Sequence, residues 1–597
     1  MRKWGNGAFM SSWVHGFIQG IWNRQSVSRF TLHVLRITLY VLLGVSTAYG
    51  WIDGTPYFYE HFGSILKEAS EVPSAPAQPN ARQLTLGDRR DFFSVNFNTH
   101  EQYIVQATLR AIGEFCYIFV EDSQWLRTVN EQTVRSVRRA FDETTPADSN
   151  RGIYEIETEL FGAPPDIDGD KRIYLLLLNI RDKATRGSNF VAGFFSPVNQ
   201  HRGILRHPEI GIPVRSNELD MLYLDTDPLN AGSEKAFGVL AHEFEHLIHW
   251  RHDVDEAIWV NEGCAEYAMF VCGYRVRSHI SSFQQNPRIS LIDWPQGARS
   301  QLAHYGAVYL WMLYLHEHYG GSQTIAAIVK DRANGISGIN NALHSRGVEA
   351  AFPVIYADWK VANYLDDTEF ADGRYGYQNE QLRLRYHREH RSYPVSVENN
   401  VLAGYASDYI PFYPNAKNGS LSLAFEGDDL LPYDVKVIEF QGEQPMTVHD
   451  MSLTEMGKGS LFILDFGQEV GKVTLIPSVQ PDHDLSGHNI SSYTYGAQQI
   501  IEKVEFNATV LPNPVHPRYW DIIAIPNHSI GGSPPQITVA QNAERIISAT
   551  PMKVVQDGAI YTYSLYLSPE VTPESIRWEI FFLGESVGSG ELQKHNE

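Results

Sequence analysis

The chain has 597 residues, room for three or four domains, and its 43% hydrophobic and 12% aromatic content is that of a core-forming globular protein. A formal net charge of −22 argues against nucleic acid as a partner and suits an exported protein, whose acidic side chains also offer oxygen ligands to Ca²⁺. Its three cysteines exclude a disulfide framework: Cys264 and Cys272 lie eight apart on one predicted helix, about 12 Å along its axis, and with Cys116 they read as small buried apolar residues.

The first 52 residues stand apart: Arg2, Lys3, Arg24, Arg29 and Arg36 precede any acid, and residues 37–52 are uncharged and mostly apolar. This predicts a signal peptide over 1–52, with Ser46-Thr47-Ala48 as a small-residue cleavage site. Counted from Thr31, the apolar run could instead be a signal anchor, the chain's one membrane contact. Either way the bulk is expected to be secreted or extracytoplasmic. Residues 53–83 read as a linker, with Pro73, Pro76 and Pro79 among Ser, Ala and Gln.

Folded structure resumes near Leu84 and is expected to continue to 370. Residues 91–96 and 102–110 alternate apolar and polar, as strands do. A strand over 115–120, an amphipathic helix over 124–143 and a buried strand over 172–180 follow. Before that last strand, Asp166, Asp168 and Asp170 alternate around Gly169. They could form a Ca²⁺ loop, although no acid closes an EF-hand pattern and a plain acidic turn fits as well. Short strands over 190–196, containing Gly193, and over 221–224 lead to the next helix.

That helix carries His242-Glu243-Phe244-Glu245-His246, an HExxH motif. Two histidines four apart lie on one helical face, about 6 Å apart along the axis, so both imidazoles can reach one Zn²⁺. Glu243 is placed to act as general base on a zinc-bound water. A catalytic zinc needs a third protein ligand. Sixteen residues after His246, in Trp259-Val260-Asn261-Glu262-Gly263, stands Glu262. A second helix over 258–272, with Asp255 as its N-cap, would bring Glu262 under the metal. Glu266, one turn on, would accept a hydrogen bond from a ligand histidine. His249 and His252 read as ordinary polar residues at the helix end.

HExxH followed by a helix carrying W-V-N-E-G resembles the gluzincin metallopeptidases, the group that includes thermolysin. The longer string AHEFEHLIHW…WVNEG is most similar to the secreted bacterial and archaeal proteases labelled immune-inhibitor-A-like or hyicolysin-like, which commonly have Gln in place of Glu245. The resemblance implies an α+β zincin-like catalytic domain over 84–370: a mixed sheet and active-site helix above a helical lower subdomain. The predicted order of strands and helices before the motif is similar to that upper subdomain. The resemblance also implies a Tyr or His of the lower subdomain facing the developing oxyanion. Tyr305 and His304 are the candidates, although Tyr305 fits equally as a core aromatic. Zincin clefts hold an extended peptide on an edge strand, and residues 190–196 occupy that place, with one of Phe194 and Phe195 expected to line the cleft.

Helices are predicted over 304–319, 323–333, 338–345 and 351–365. A linker over 371–394 leads to two β-sandwich-like modules at 395–503 and 504–597, where short alternating stretches are separated by Gly, Asn, Asp and Pro. The sequence thus reads as an exported zinc endopeptidase acting on peptides or proteins. No G-x-M-E-N segment of the gluzincin aminopeptidases precedes the motif. The rival reading is a non-catalytic surface or adhesion protein that retains a metal site, which would have no need of Glu243.

Overall fold

The computed structural model describes residues 50–70 and 84–591, apart from 183–188, 207–210, 212, 276, 296–297, 416–418, 429–430, 482–489, 502–505, 513–518, 528–534, 542–543, 550–552, 556–559, 567–575 and 583–584. The expected leader therefore lies, but for its last three residues, outside the described residues. No helix among the described residues is long and apolar enough to cross a membrane.

The architecture is mixed α/β with a β-rich C-terminal region. Its first part is built on a seven-stranded sheet. The strands are β1 (Trp51–Asp53), β2 (Arg89–Val95), β3 (Gln102–Ile112), β4 (Cys116–Glu121), β5 (Ile173–Leu178), β6 (Phe190–Phe195) and, after the short hairpin β7 (Ile204–Arg206) and β8 (Pro213–Arg215), β9 (Met221–Asp225). Their order across the sheet is β1-β6-β9-β5-β4-β3-β2. β4, β5 and β9 are parallel neighbours and buried along nearly their whole length, which explains their continuous apolar runs. β2 and β3 pair antiparallel and alternate. β6 is antiparallel to β9 and parallel to β1, so the strand expected to offer a free edge is paired on both sides.

The expected linker over 53–83 holds a helix instead. α1 (Thr55–Ser70) has Pro56 in its first turn and buries Phe58, Phe62 and Leu66. The Phe58 ring lies 5.6 Å from that of Phe194. Prolines in the stretch after the helix gave the whole segment its linker texture. The helix expected over 124–143 begins later, as α2 (Glu131–Asp142), because Gln124 nucleates a turn and Asn130 caps the helix by accepting from the Thr133 amide at 3.1 Å. α3 (Ile153–Phe161) was not foreseen.

α4 (Glu234–His252) crosses the sheet and is buried along most of its length. Ser233 caps it, and Glu234 and the pair Arg251 and His252 sit at the ends that the helix dipole favours. α5 (Ile258–Val271) packs on α4, and α6 (Arg277–Gln285), α7 (Ala298–His318), α8 (Ser322–Lys330), α9 (Gly335–Ser345) and α10 (Phe352–Leu365) complete the helical layer. α5 is not capped by Asp255, which pairs with Lys67 of α1; Glu256 accepts from the Ala257 amide at 2.6 Å.

Beyond α10, four four-stranded antiparallel sheets follow, two between Val395 and Ile500 and two between Phe506 and Glu591. Each pair encloses an apolar core, one around Leu421, Val437 and Leu475 and the other around Trp520, Ile537 and Tyr563. Ile438, Phe440 and Ile476 of the first pair pack into the large core of the preceding domain.

Candidate metal centre

Helix α4 presents His242 and His246 on one face, and the packing of α5 sets Glu262 opposite them. The Nε2 atom of His242 lies 3.2 Å from Glu262 Oε2, and that of His246 lies 3.7 Å from Glu262 Oε1. A fourth side chain joins them. Asp53, at the end of β1, places Oδ2 3.2 Å from His246 Nε2 and 3.8 Å from His242 Nε2. All four residues are buried.

Asp53 Oδ2, both Nε2 atoms and Glu262 Oε2 have no hydrogen bond of acceptable geometry, although they stand within ion-pair distance of one another. Buried polar atoms without hydrogen bonds are costly. Two imidazole nitrogens and two carboxylates converging on one point is the donor set of a divalent cation, and suits zinc. The residues present therefore fit the metal implied by the motif.

The electrostatics follow from burial. Burial works against the Asp53 carboxylate, but the imidazoles of His242 and His246 overcome it and hold its pKa well below the ordinary range. Burial and the neighbouring Asp53 carboxylate push Glu262 well above it.

Glu243 sits beside the ligand set. Burial, reinforced by Asp53, pushes its carboxyl up. Its Oε2 is 3.1 Å from the Thr55 hydroxyl, and its Oε1 has no partner. The same hydroxyl is 2.9 Å from Asp53 Oδ1 and accepts from the Phe195 amide at 2.9 Å. Strand β6 comes this close because residue 193 is glycine. A Cβ there would stand 2.7 Å from Val239 Cγ1, 2.9 Å from the Tyr223 carbonyl and 3.0 Å from Glu243 Oε1.

Glu266 Oε1 faces His242 Nδ1 at 3.6 Å but hydrogen-bonds His279 Nδ1 at 3.1 Å. His279, on α6, is a member of this shell that no sequence spacing marked. Its Nε2 lies 3.0 Å from the Trp51 carbonyl and its ring stacks on Tyr305 at 4.8 Å. The Tyr305 hydroxyl accepts from the Asp53 amide at 3.1 Å, and its ring is 6.3 Å from that of His242. His304 lies elsewhere, with its ring 6.1 Å from Trp294, and burial lowers its pKa to about 4. Phe194 and Phe195 are both buried, so neither lines an open cleft.

Two other groups among the described residues bring cation-binding side chains together. One is Glu245, His249 and Cys264, all buried, with His249 Nδ1 3.2 Å from Glu245 Oε1. His249 is thus no solvated helix-end residue, and Glu245 also faces His246 Nδ1 at 3.9 Å. The other is Asp166, Asp168 and Asp220. Asp170 does not join it. Its carboxylate accepts instead from the Tyr117 hydroxyl at 2.7 Å, while Asp220 is brought in from the turn before β9. All three cysteines are buried and free.

No family model matches the chain. It is 24% identical over 278 residues to the neutral metalloprotease ShpI of Staphylococcus hyicus, a match that covers 43% of this chain and 58% of that protein. The chain is a distant homologue of a metalloprotease. It spans a little over half the length of that relative. Among solved structures, tripeptidyl peptidase 2 aligns with a TM-score of 0.16 at 9% identity, over 36% of this chain and 21% of that one. A β-glucuronidase of Ruminococcus gnavus aligns at 0.12 and 8% identity, over 31% and 34%. Likenesses that slight carry no argument.

Proposed function

We propose that this protein is an exported zinc endopeptidase of the gluzincin type, with its catalytic domain at about residues 84–370. The observation that carries the reading is the convergence of bare ligand atoms from His242, His246 and Glu262, with the carboxylate of Glu243 beside them. The distant metalloprotease relative supports it. The mixed sheet over α4, with α5 to α10 on the other side, fits the two halves of a zincin fold.

His242, His246 and Glu262 would hold the metal. Zinc, when bound, polarises a scissile carbonyl and makes water a stronger nucleophile at neutral pH. Glu243 takes the proton of the attacking water and passes it to the leaving amine. Tyr305 would turn its hydroxyl to the oxygen on which negative charge develops. Glu266 and His279 would fix the orientation of His242.

Metal content and casein hydrolysis of the full chain test this together. Wild type should carry one zinc, and a chelator should abolish its hydrolysis. Glu243→Gln should keep the zinc and lose activity by about 1,000-fold, the scale of general acid–base catalysis. Normal turnover by that variant would overturn the mechanism.

A further inference from the structure

With Asp53 counted, four protein side chains converge on the metal position, not three. Catalytic zinc sites keep one position open for water or substrate, and sites closed by four protein ligands are structural. Either Asp53 leaves, or the site does no chemistry.

The rest of the segment blocks the same place. β1 pairs with β6 in the register Trp51↔Phe190, Ile52↔Val191 and Asp53↔Gly193, and the Gly54 amide donates to the Gly193 carbonyl at 3.0 Å. An extended peptide added to that edge would use these same backbone groups. The Trp51 ring lies edge-on to His242 at 5.5 Å and is 1% exposed. The groups assigned to the reaction are engaged, Tyr305 by the Asp53 amide and Glu243 by the Thr55 hydroxyl, and His279 is held by the Trp51 carbonyl.

Asp53 itself is held for this role. Its Oδ1 accepts from the Thr55 amide and hydroxyl, both at 2.9 Å, which leaves Oδ2 aimed at the imidazoles. Behind it, α1 anchors the segment through Phe58, Phe62 and Leu66.

We propose that residues 51–70 are a built-in latency segment, in which Asp53 is a fourth metal ligand and β1 occupies the substrate's strand position on β6. This rests on the reading of the site as a metal centre. The full chain then hydrolyses substrate only through its minor open form until β1 is withdrawn or cut away. Withdrawal opens one metal position, one sheet edge and the cavity beside His242 filled by Trp51, all at once.

The test compares the zinc-loaded full chain with Asp53→Ala and with Asp53→Asn, which keeps the shape and the contact to Thr55. The probes are acetohydroxamate, a small metal chelator, and the visible spectrum of the Co²⁺-substituted protein. If the open form is about 1% of wild type, both variants should bind acetohydroxamate about 100-fold more tightly and hydrolyse a peptide correspondingly faster. The Co²⁺ spectrum should change as a carboxylate is replaced. Equal hydroxamate affinity, equal turnover and an unchanged spectrum in a variant that still binds one zinc would overturn the latency proposal and leave the metal centre standing. Failure of wild type to bind zinc at this site would sink the underlying reading itself.

Discussion

At the scale of single residues, Glu262 and Glu266 stand one turn apart on α5 and yet have different neighbours. Glu262 meets the Nε2 side of both histidines, whereas Glu266 meets His242 at Nδ1 and His279. Glu262→Ala should therefore weaken zinc binding more than Glu266→Ala, whose effect should be about 10- to 100-fold, the usual consequence of losing a group that orients a ligand. A zinc competition titration that ranks them the other way would show the two roles exchanged. The spacing in HExxH and the WVNEG string made His242, Glu243, His246 and Glu262 legible, because a helix converts sequence distance directly into a shared face. Asp53 and His279 were not legible. They reach the site by tertiary packing, from a strand 189 residues before His242 and a helix with no motif of its own. That Asp53 is the first acid in the chain was visible, but it read as the end of a leader.

At the scale of elements, a buried lysine is among the groups that dock α10 of the helical layer onto the first β-module. Lys360 Nζ donates to the Asp434 and Ile476 carbonyls at 2.9 and 3.2 Å and to the Ser478 hydroxyl at 2.7 Å, and pairs with the Asp434 carboxylate at 2.5 Å. Burial lowers its pKa from 10.5 to about 8, with Asp434 opposing the shift. Below about 8 both folded and unfolded chains hold the proton; between about 8 and 10.5 only the unfolded chain does, so this group makes the fold more stable as pH rises through that window. Denaturant melts of wild type and Lys360→Met should diverge in that direction, wild type gaining on the variant above pH 8. A constant difference across the window would mean the lysine is solvated. Strands β4, β5 and β9 were legible as apolar runs, and so were the long helices. The segment containing α1 was misread because its three later prolines outweighed an apolar stripe of Phe58, Phe62 and Leu66. Residues 190–196 were rightly a strand, but a strand's own sequence does not say which partner lies on its open side.

For the whole molecule, the fold sets one mixed sheet and a helical layer around α4, then two β-modules whose composition gave their texture but no function. Among the described residues, three clusters bring potential metal ligands together: Asp53, His242, His246 and Glu262; Glu245, His249 and Cys264; and Asp166, Asp168 and Asp220. Of these three, the first adjoins Glu243. Diffraction data collected on both sides of the zinc absorption edge, from crystals of the full chain, decide among them. A strong anomalous peak is expected about 2 Å from His242 Nε2, His246 Nε2 and a Glu262 carboxylate oxygen. A zinc peak at either of the other clusters, with none between these three side chains, would contradict it.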